Sequence, residues 1–184
     1  MKIAYITSNQ QKFEEAVYIL QGWELDRIPI DLTEIQGDYH EIIKAKAKEA
    51  LARLKMPLIV EDVSFCCEAI GNLPGPYVKD FLKALGDRGL YELISKYPTQ
   101  KVRVVCVAAY IQPGSEPLLF EGAVEGTVVA PRGNLRHGTH SWNPIFQPNG
   151  SSKTMGEMTM EEHAQTSMRK IALTKLRHYL EQPS

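Results

Sequence analysis

Two adjacent carboxylates, a loop of little freedom and a lysine follow one another in IVEDVSFCCEAIGNLPGPYVKDF, residues 59–81. Leu58, Ile59 and Val60 read as a short buried strand, and such strands deliver reactive groups from their carboxyl ends, where Glu61 and Asp62 stand. Gly71, Pro74, Gly75 and Pro76 form the loop, and Lys79 lies in the helical stretch after it. Two carboxylates facing a lysine suit a magnesium-bound polyphosphate, with oxygen ligands for the metal and a fixed cation for the phosphate. Taken singly these residues are ordinary, since adjacent acids often end a strand and Lys79 alone reads as a solvated side chain.

A second candidate is TSNQQK at 7–12, between a strand and a helix. Free backbone N–H groups and the helix dipole favour an anion at such a junction. Lys12 falls in the first turn, where a cation opposes the dipole, and an anion alongside would relieve the misfit. The plain alternative is an ordinary cap by Ser8 or Asn9 and a solvated Lys12.

The elements that would position these groups follow from periodicity. Ile3–Ile6 reads as a strand, then a helix with Phe13, Ala16, Val17 and Leu20 on its apolar face and Gly22 as its stop. A strand over Leu25–Ile30 and a turn at 36–38 precede a long helix with Ile43, Ala47, Ala50, Leu51 and Leu54 on one face and Lys44 and Lys48 outward. Strand, helix, strand, helix, strand is an α/β opening. Helices are expected over 77–85, ended by Gly86, and over 89–97. Alternation at 102–111 and runs near Phe120 and at 127–130 predict an antiparallel hairpin or meander, making the sheet mixed. Thr159 and Glu162 form a capping box for one terminal helix with Ala164, Met168, Ile171, Ala172 and Leu176 on its face.

The 184 residues fit one domain, 1–184, and the 21 basic residues nearly balance the 22 acidic ones, which argues against nucleic acid or an anionic membrane as partner. Cys66, Cys67 and Cys106 give neither a zinc spacing nor a disulfide framework. The start, MKIAYITSNQ, holds too short an apolar run for a signal peptide, and no stretch approaches the ~20 apolar residues of a membrane span. A soluble, cytoplasmic protein is expected.

Together these segments resemble the inosine triphosphate pyrophosphatase family, which hydrolyses aberrant purine nucleoside triphosphates to monophosphate and pyrophosphate. TSNQQKFEEA is similar to the family's T-x-N-x-x-K signature, the central segment to its E-D…L-P-G-P-Y run, and VAPRG with WNPIFQPNG to its base-binding loop. The resemblance covers nearly the whole chain. It implies an α/β fold with an elongated mixed sheet flanked by helices, two lobes with the substrate in a central cleft, and a homodimer. Thr7, Asn9, Lys12 and Lys79 would contact phosphate, Glu34 and Asp62 would hold magnesium (or manganese), and Asp62, Glu61 and Lys46 would be catalytic.

The base-binding half departs from the family pattern. An aromatic, glycine, aromatic, aspartate, proline run is replaced by His140, Ser141, Trp142, Asn143 and Pro144. The S-H-R signature reads Ser167, Met168, Arg169, and a preceding lysine aligns with His163. Read alone, His163 is a helix-surface histidine and Met168 a core methionine. By resemblance Trp142, Asn143, His163, Ser167, Met168 and Arg169 are the base-contacting set. Lost donors at such a site change discrimination strongly, so a relative with altered base specificity is one alternative. A nucleotide-binding module without turnover is another, although Glu34, Asp62 and Lys12 argue against it.

Overall fold

The expected first strand runs from Lys2 to Ile6 (β1), with every residue after Lys2 buried. The computed structural model describes residues 2–134 and 141–182. After β1 come α1 (Gln10–Ile19), β2 (Glu24–Ile28), α2 (Tyr39–Leu54), β3 (Leu58–Cys67), β4 (Pro74–Gly75), α3 (Val78–Ile94), β5 (Lys101–Ile111), β6 (Leu118–Val128), β7 (Phe146–Pro148), α4 (Met160–Gln165) and α5 (Met168–Leu180). The strands make one seven-stranded sheet in the order β2-β1-β3-β5-β6-β7, with β4 on β3. β1 is parallel to β2 and to β3, whereas β4 on β3 and β7 on β6 are antiparallel. The sheet is therefore mixed, as the alternation of patterns predicts. No helix among the described residues is long and apolar enough to cross a membrane.

The chain divides into two compact units. The first holds the chain up to Asp62, Cys106–Gly122 and everything from Arg169 onward. Its α2 begins on a capping box in which Asp38 accepts from the backbone of Glu41 and Glu41 returns the bond to Asp38 N–H. Ile42, Ile43, Lys46, Ala47 and Ala50 form the buried side of α2, so Lys46 lies one turn after Ile42 on the face turned inward. Lys44 and Lys48 are exposed, as expected.

The second unit holds Val63–Val105 and Ala123–Met168. Here α3 is interrupted at Gly86, whose φ of 70° and ψ of 176° lie outside helical values, which gives the two expected helical pieces. The runs near Phe120 and Thr127 belong to one long strand, β6, of which the residues from Ala123 onward fall in this unit. Gly126 within it is a packing requirement, because a Cβ there would overlap the Phe146 ring and the Gln147 carbonyl.

Three helical expectations are corrected. Val17 is 45% exposed, and Ile19 occupies the buried position on α1 instead. Ile171 is 40% exposed and Leu173 is buried on α5. The terminal helix is broken into α4 and α5, because the Thr166 hydroxyl bonds the carbonyls of Glu162 and His163 and closes α4 early.

Candidate active site

In the first unit, the junction from β1 to α1 caps itself. Thr7 Oγ1 accepts the Asn9 N–H at 3.1 Å, and Asn9 Oδ1 accepts the Lys12 N–H at 3.1 Å. Asn9 is the N-cap residue, and the first turn of α1 contains no acid. The loop is thus locked before any ligand arrives, with the positive end of the helix dipole unopposed by a carboxylate of its own.

Lys46 Nζ stands between two carboxylates, at 2.6 Å from Asp62 Oδ2 and 3.0 Å from Glu34 Oε1. Burial would lower the lysine's pKa, but the charges and hydrogen bonds of Asp62 and Glu34 outweigh it and raise the value. The segment carrying Glu34 has no regular structure, and the residues just before Glu34 are tied to α2. Thr33 N–H donates to Glu49 at 2.9 Å, and Arg53 donates to the Asp31 carbonyl at 3.0 Å. The Asp62 side chain is a quarter exposed and that of Glu34 more than half, so both can take a further partner from solvent.

Glu61 faces the other way. Consecutive strand residues point to opposite faces, and the structure divides the two acids accordingly. Arg169 Nε lies 2.8 Å from each Glu61 oxygen, Lys12 Nζ 3.2 Å from Oε1, and Cys106 Sγ 3.8 Å from Oε2. The Glu61 side chain is 1% exposed. Burial raises its pKa, yet the charges of Arg169 and Lys12 and the Arg169 hydrogen bond outweigh this and hold the carboxyl at about 2. The same carboxylate, after burial, keeps the Tyr5 hydroxyl and the Cys106 thiol well above their usual ranges. The Tyr5 hydroxyl faces this charge without a hydrogen bond of good geometry.

Because the folded value lies below the ordinary 4.5, Glu61 contributes stability that is complete above that value and lost as pH falls toward 2. Wild type and Glu61→Gln should therefore converge in unfolding free energy by about 3 kcal/mol between roughly pH 5 and pH 2. Urea titrations at the two pH values measure this, and a gap that stays constant would remove the assigned charge state.

Arg169 also donates from Nη1 to Glu15 Oε2 at 2.6 Å. Glu15 is the residue that sequence reasoning missed. Its signal was local: it lies three residues after Lys12, on the same helix face, where charged side chains meet.

In the second unit, Lys79 is exposed in the first turn of α3. Trp142 sits among aromatic rings, 5.7 Å from Phe65 and 5.7 Å from Phe146, the latter edge to face. Asn143 is 1% exposed. Its backbone N–H donates to Ser141 Oγ at 3.2 Å and its carbonyl accepts from Gly156 at 2.9 Å, but its side-chain Nδ2 has no partner among the described residues. Gly133 and Asn134 are held by close backbone approach. Gly133 has a φ of 80°, and a Cβ there would overlap the Gly156 backbone, while Asn134 N–H donates to the Gly156 carbonyl at 2.9 Å. His163, Ser167 and Met168 are all buried, so His163 is not the surface histidine that its helical position suggested. His140 lies outside the described residues.

Comparison with known proteins identifies the lineage. The Ham1 family profile matches residues 3–179. A Schizosaccharomyces pombe protein named inosine triphosphate pyrophosphatase is 41% identical, with 97% of this chain and 95% of that protein covered. A Puccinia graminis f. sp. tritici protein of the same name is 37% identical, with coverage of 97% and 96%. Among solved structures, a Ham1 protein from Coxiella burnetii superposes with a TM-score of 0.86 at 22% identity, covering 98% of each chain, which speaks to the fold. With a profile match spanning almost the entire sequence and curated relatives this similar, the chain belongs to the Ham1 family.

Proposed function

We propose that this protein hydrolyses non-standard purine nucleoside triphosphates, inosine triphosphate foremost, between the α- and β-phosphorus atoms, releasing monophosphate and pyrophosphate. The observation that carries the reading is Lys46 held between Asp62 and Glu34, on a chain similar over nearly its whole length to proteins named for this reaction. The two acids and one lysine sum to a net negative charge, which suits a cation that arrives with its own phosphate ligands.

No group of three or more metal-ligating side chains occurs among the described residues. Magnesium, however, needs only one or two protein carboxylates when substrate phosphates complete its shell, and Glu34 with Asp62 provide two. Bound there, it would neutralise phosphate charge and favour departure of pyrophosphate. Asp62 is the residue to orient and deprotonate the attacking water, because Glu61 has both oxygens engaged and is closed to solvent. Lys46 restrains Asp62 and offers its remaining N–H to a phosphate oxygen. Lys12 and the Thr7–Asn9 loop would receive the phosphates from the helix N-terminal side, with Lys79 adding a further cation. The family resemblance adds a cytoplasmic homodimer to the proposal, testable by light scattering.

Asn143 and Met168 favour a broadened base preference. An amide can donate and accept where an aspartate only accepts, and Met168 supplies packing without a strong donor. A panel of inosine, xanthosine, guanosine and adenosine triphosphates, assayed for pyrophosphate release, tests both parts. Inosine and xanthosine triphosphates should give the highest kcat/KM, with guanosine triphosphate within about 100-fold. Orthophosphate and diphosphate as products would overturn the proposed bond cleavage.

A further inference from the structure

The buried carboxylate of Glu61 has two cationic partners that come from different ends of the chain. Arg169 grips both of its oxygens at 2.8 Å, and Lys12 reaches one of them at 3.2 Å. Arg169 is in turn shared with Glu15 at 2.6 Å. The four charges cancel within the cluster. Lys12 is its most solvent-accessible side chain, 26% exposed against 1% for Glu61, 6% for Arg169 and 20% for Glu15. An incoming polyanion therefore meets the cluster at Lys12 and must compete there with Glu61. How much Lys12 gives up depends on how well the other partner, Arg169, neutralises Glu61 once Lys12 turns away.

We propose that Glu61 is a positioning residue that relays between Arg169 and Lys12, so that the hold of Arg169 on Glu61 sets how readily Lys12 is released to the polyphosphate. This rests on the reading of Lys12 as a phosphate contact and deepens it. By reciprocity, a polyphosphate that draws on Lys12 tightens the grip of Glu61 on Arg169. The coupling needs no movement of the backbone, only a redistribution of charge over hydrogen bonds already present.

Inorganic tripolyphosphate with magnesium isolates the effect, because it carries no base or sugar for Arg169 to touch. Its affinity is measured by calorimetry on folded wild type and variants, with circular dichroism as the fold check. Lys12→Ala should weaken binding at least about ten-fold, and an unchanged affinity would refute the phosphate role of Lys12 and the relay with it. Arg169→Ala should weaken binding about five- to ten-fold, since among the described residues Glu61 then has Lys12 alone to neutralise it. Glu61→Gln should bind at least as tightly as wild type, and adding Arg169→Ala to it should change nothing further.

Loss of one positive charge as such would weaken binding in both backgrounds. An Arg169→Ala effect that persists with Glu61→Gln, or no effect in either background while Lys12→Ala weakens binding, would overturn the relay and leave the phosphate reading standing. If Arg169→Ala fails to fold, Glu15→Gln tests the same link with the opposite sign. Freed from Glu15, Arg169 should hold Glu61 more firmly and tripolyphosphate should bind about two-fold tighter. Unchanged or weaker binding there, or tightening that survives Glu61→Gln, would overturn the proposal.

Discussion

Asp62→Asn should lower kcat for inosine triphosphate by about 1000-fold while shifting KM by less than about three-fold. Asparagine keeps the shape of the side chain and can still turn an oxygen toward Lys46, which lies 2.6 Å from the present carboxylate. What it lacks is the negative charge and the basic lone pair, the two properties that orient and deprotonate water. The neighbouring acid cannot replace them, since Glu61 lies with its carboxylate on the opposite side of β3, fully engaged by Arg169 and Lys12. Ground-state contacts to the phosphates come from Thr7, Asn9, Lys12, Lys46 and Lys79 in this reading, and Glu34 keeps a carboxylate for the metal, so binding should largely survive. Steady-state kinetics with a coupled pyrophosphate assay provide the measurement. Turnover near wild type would mean that Asp62 serves neither the water nor the metal.

The order of elements was legible because it follows from local patterns. The apolar period of α2, the capping box at Thr159 and the break at Gly86 each depend on residues a few positions apart. The corrected positions have a common cause. Val17 and Ile19, like Ile171 and Leu173, are apolar neighbours of which either could face inward, and only the packing of the remainder of the unit selects one. The motifs pointed to candidate residues but not to their partnerships. Glu61 and Asp62 read as a pair in sequence, yet the two-residue period of a strand separates them, and Glu61 pairs with a residue 108 positions away. No local rule points from β3 to the start of α5. The buried Cys106 and Tyr5 beside Glu61 were likewise invisible, since each reads as an ordinary strand residue until the sheet places it.

Lys46→Met should reduce kcat by about 100-fold and, unlike Asp62→Asn, should make stability depend on magnesium. The wild-type lysine side chain is 10% exposed, and its ammonium lies between Asp62 and Glu34. Replacing it with an apolar side chain of similar length leaves two carboxylates converging without the lysine's charge between them. Removing one member of a buried ionic cluster costs about 3–5 kcal/mol, but both acids here retain some exposure, so a loss of about 1–3 kcal/mol is the better expectation. A divalent cation can restore the balance because the local charge has become more negative by one. The melting temperature of Lys46→Met should therefore fall in chelator and recover in millimolar magnesium, whereas that of wild type should change much less. Magnesium cannot replace the N–H that Lys46 offers to a phosphate oxygen, so turnover should stay low even when stability is restored. Equal melting behaviour of the two proteins with and without magnesium would argue that Glu34 and Asp62 are held by Lys46 for structure alone.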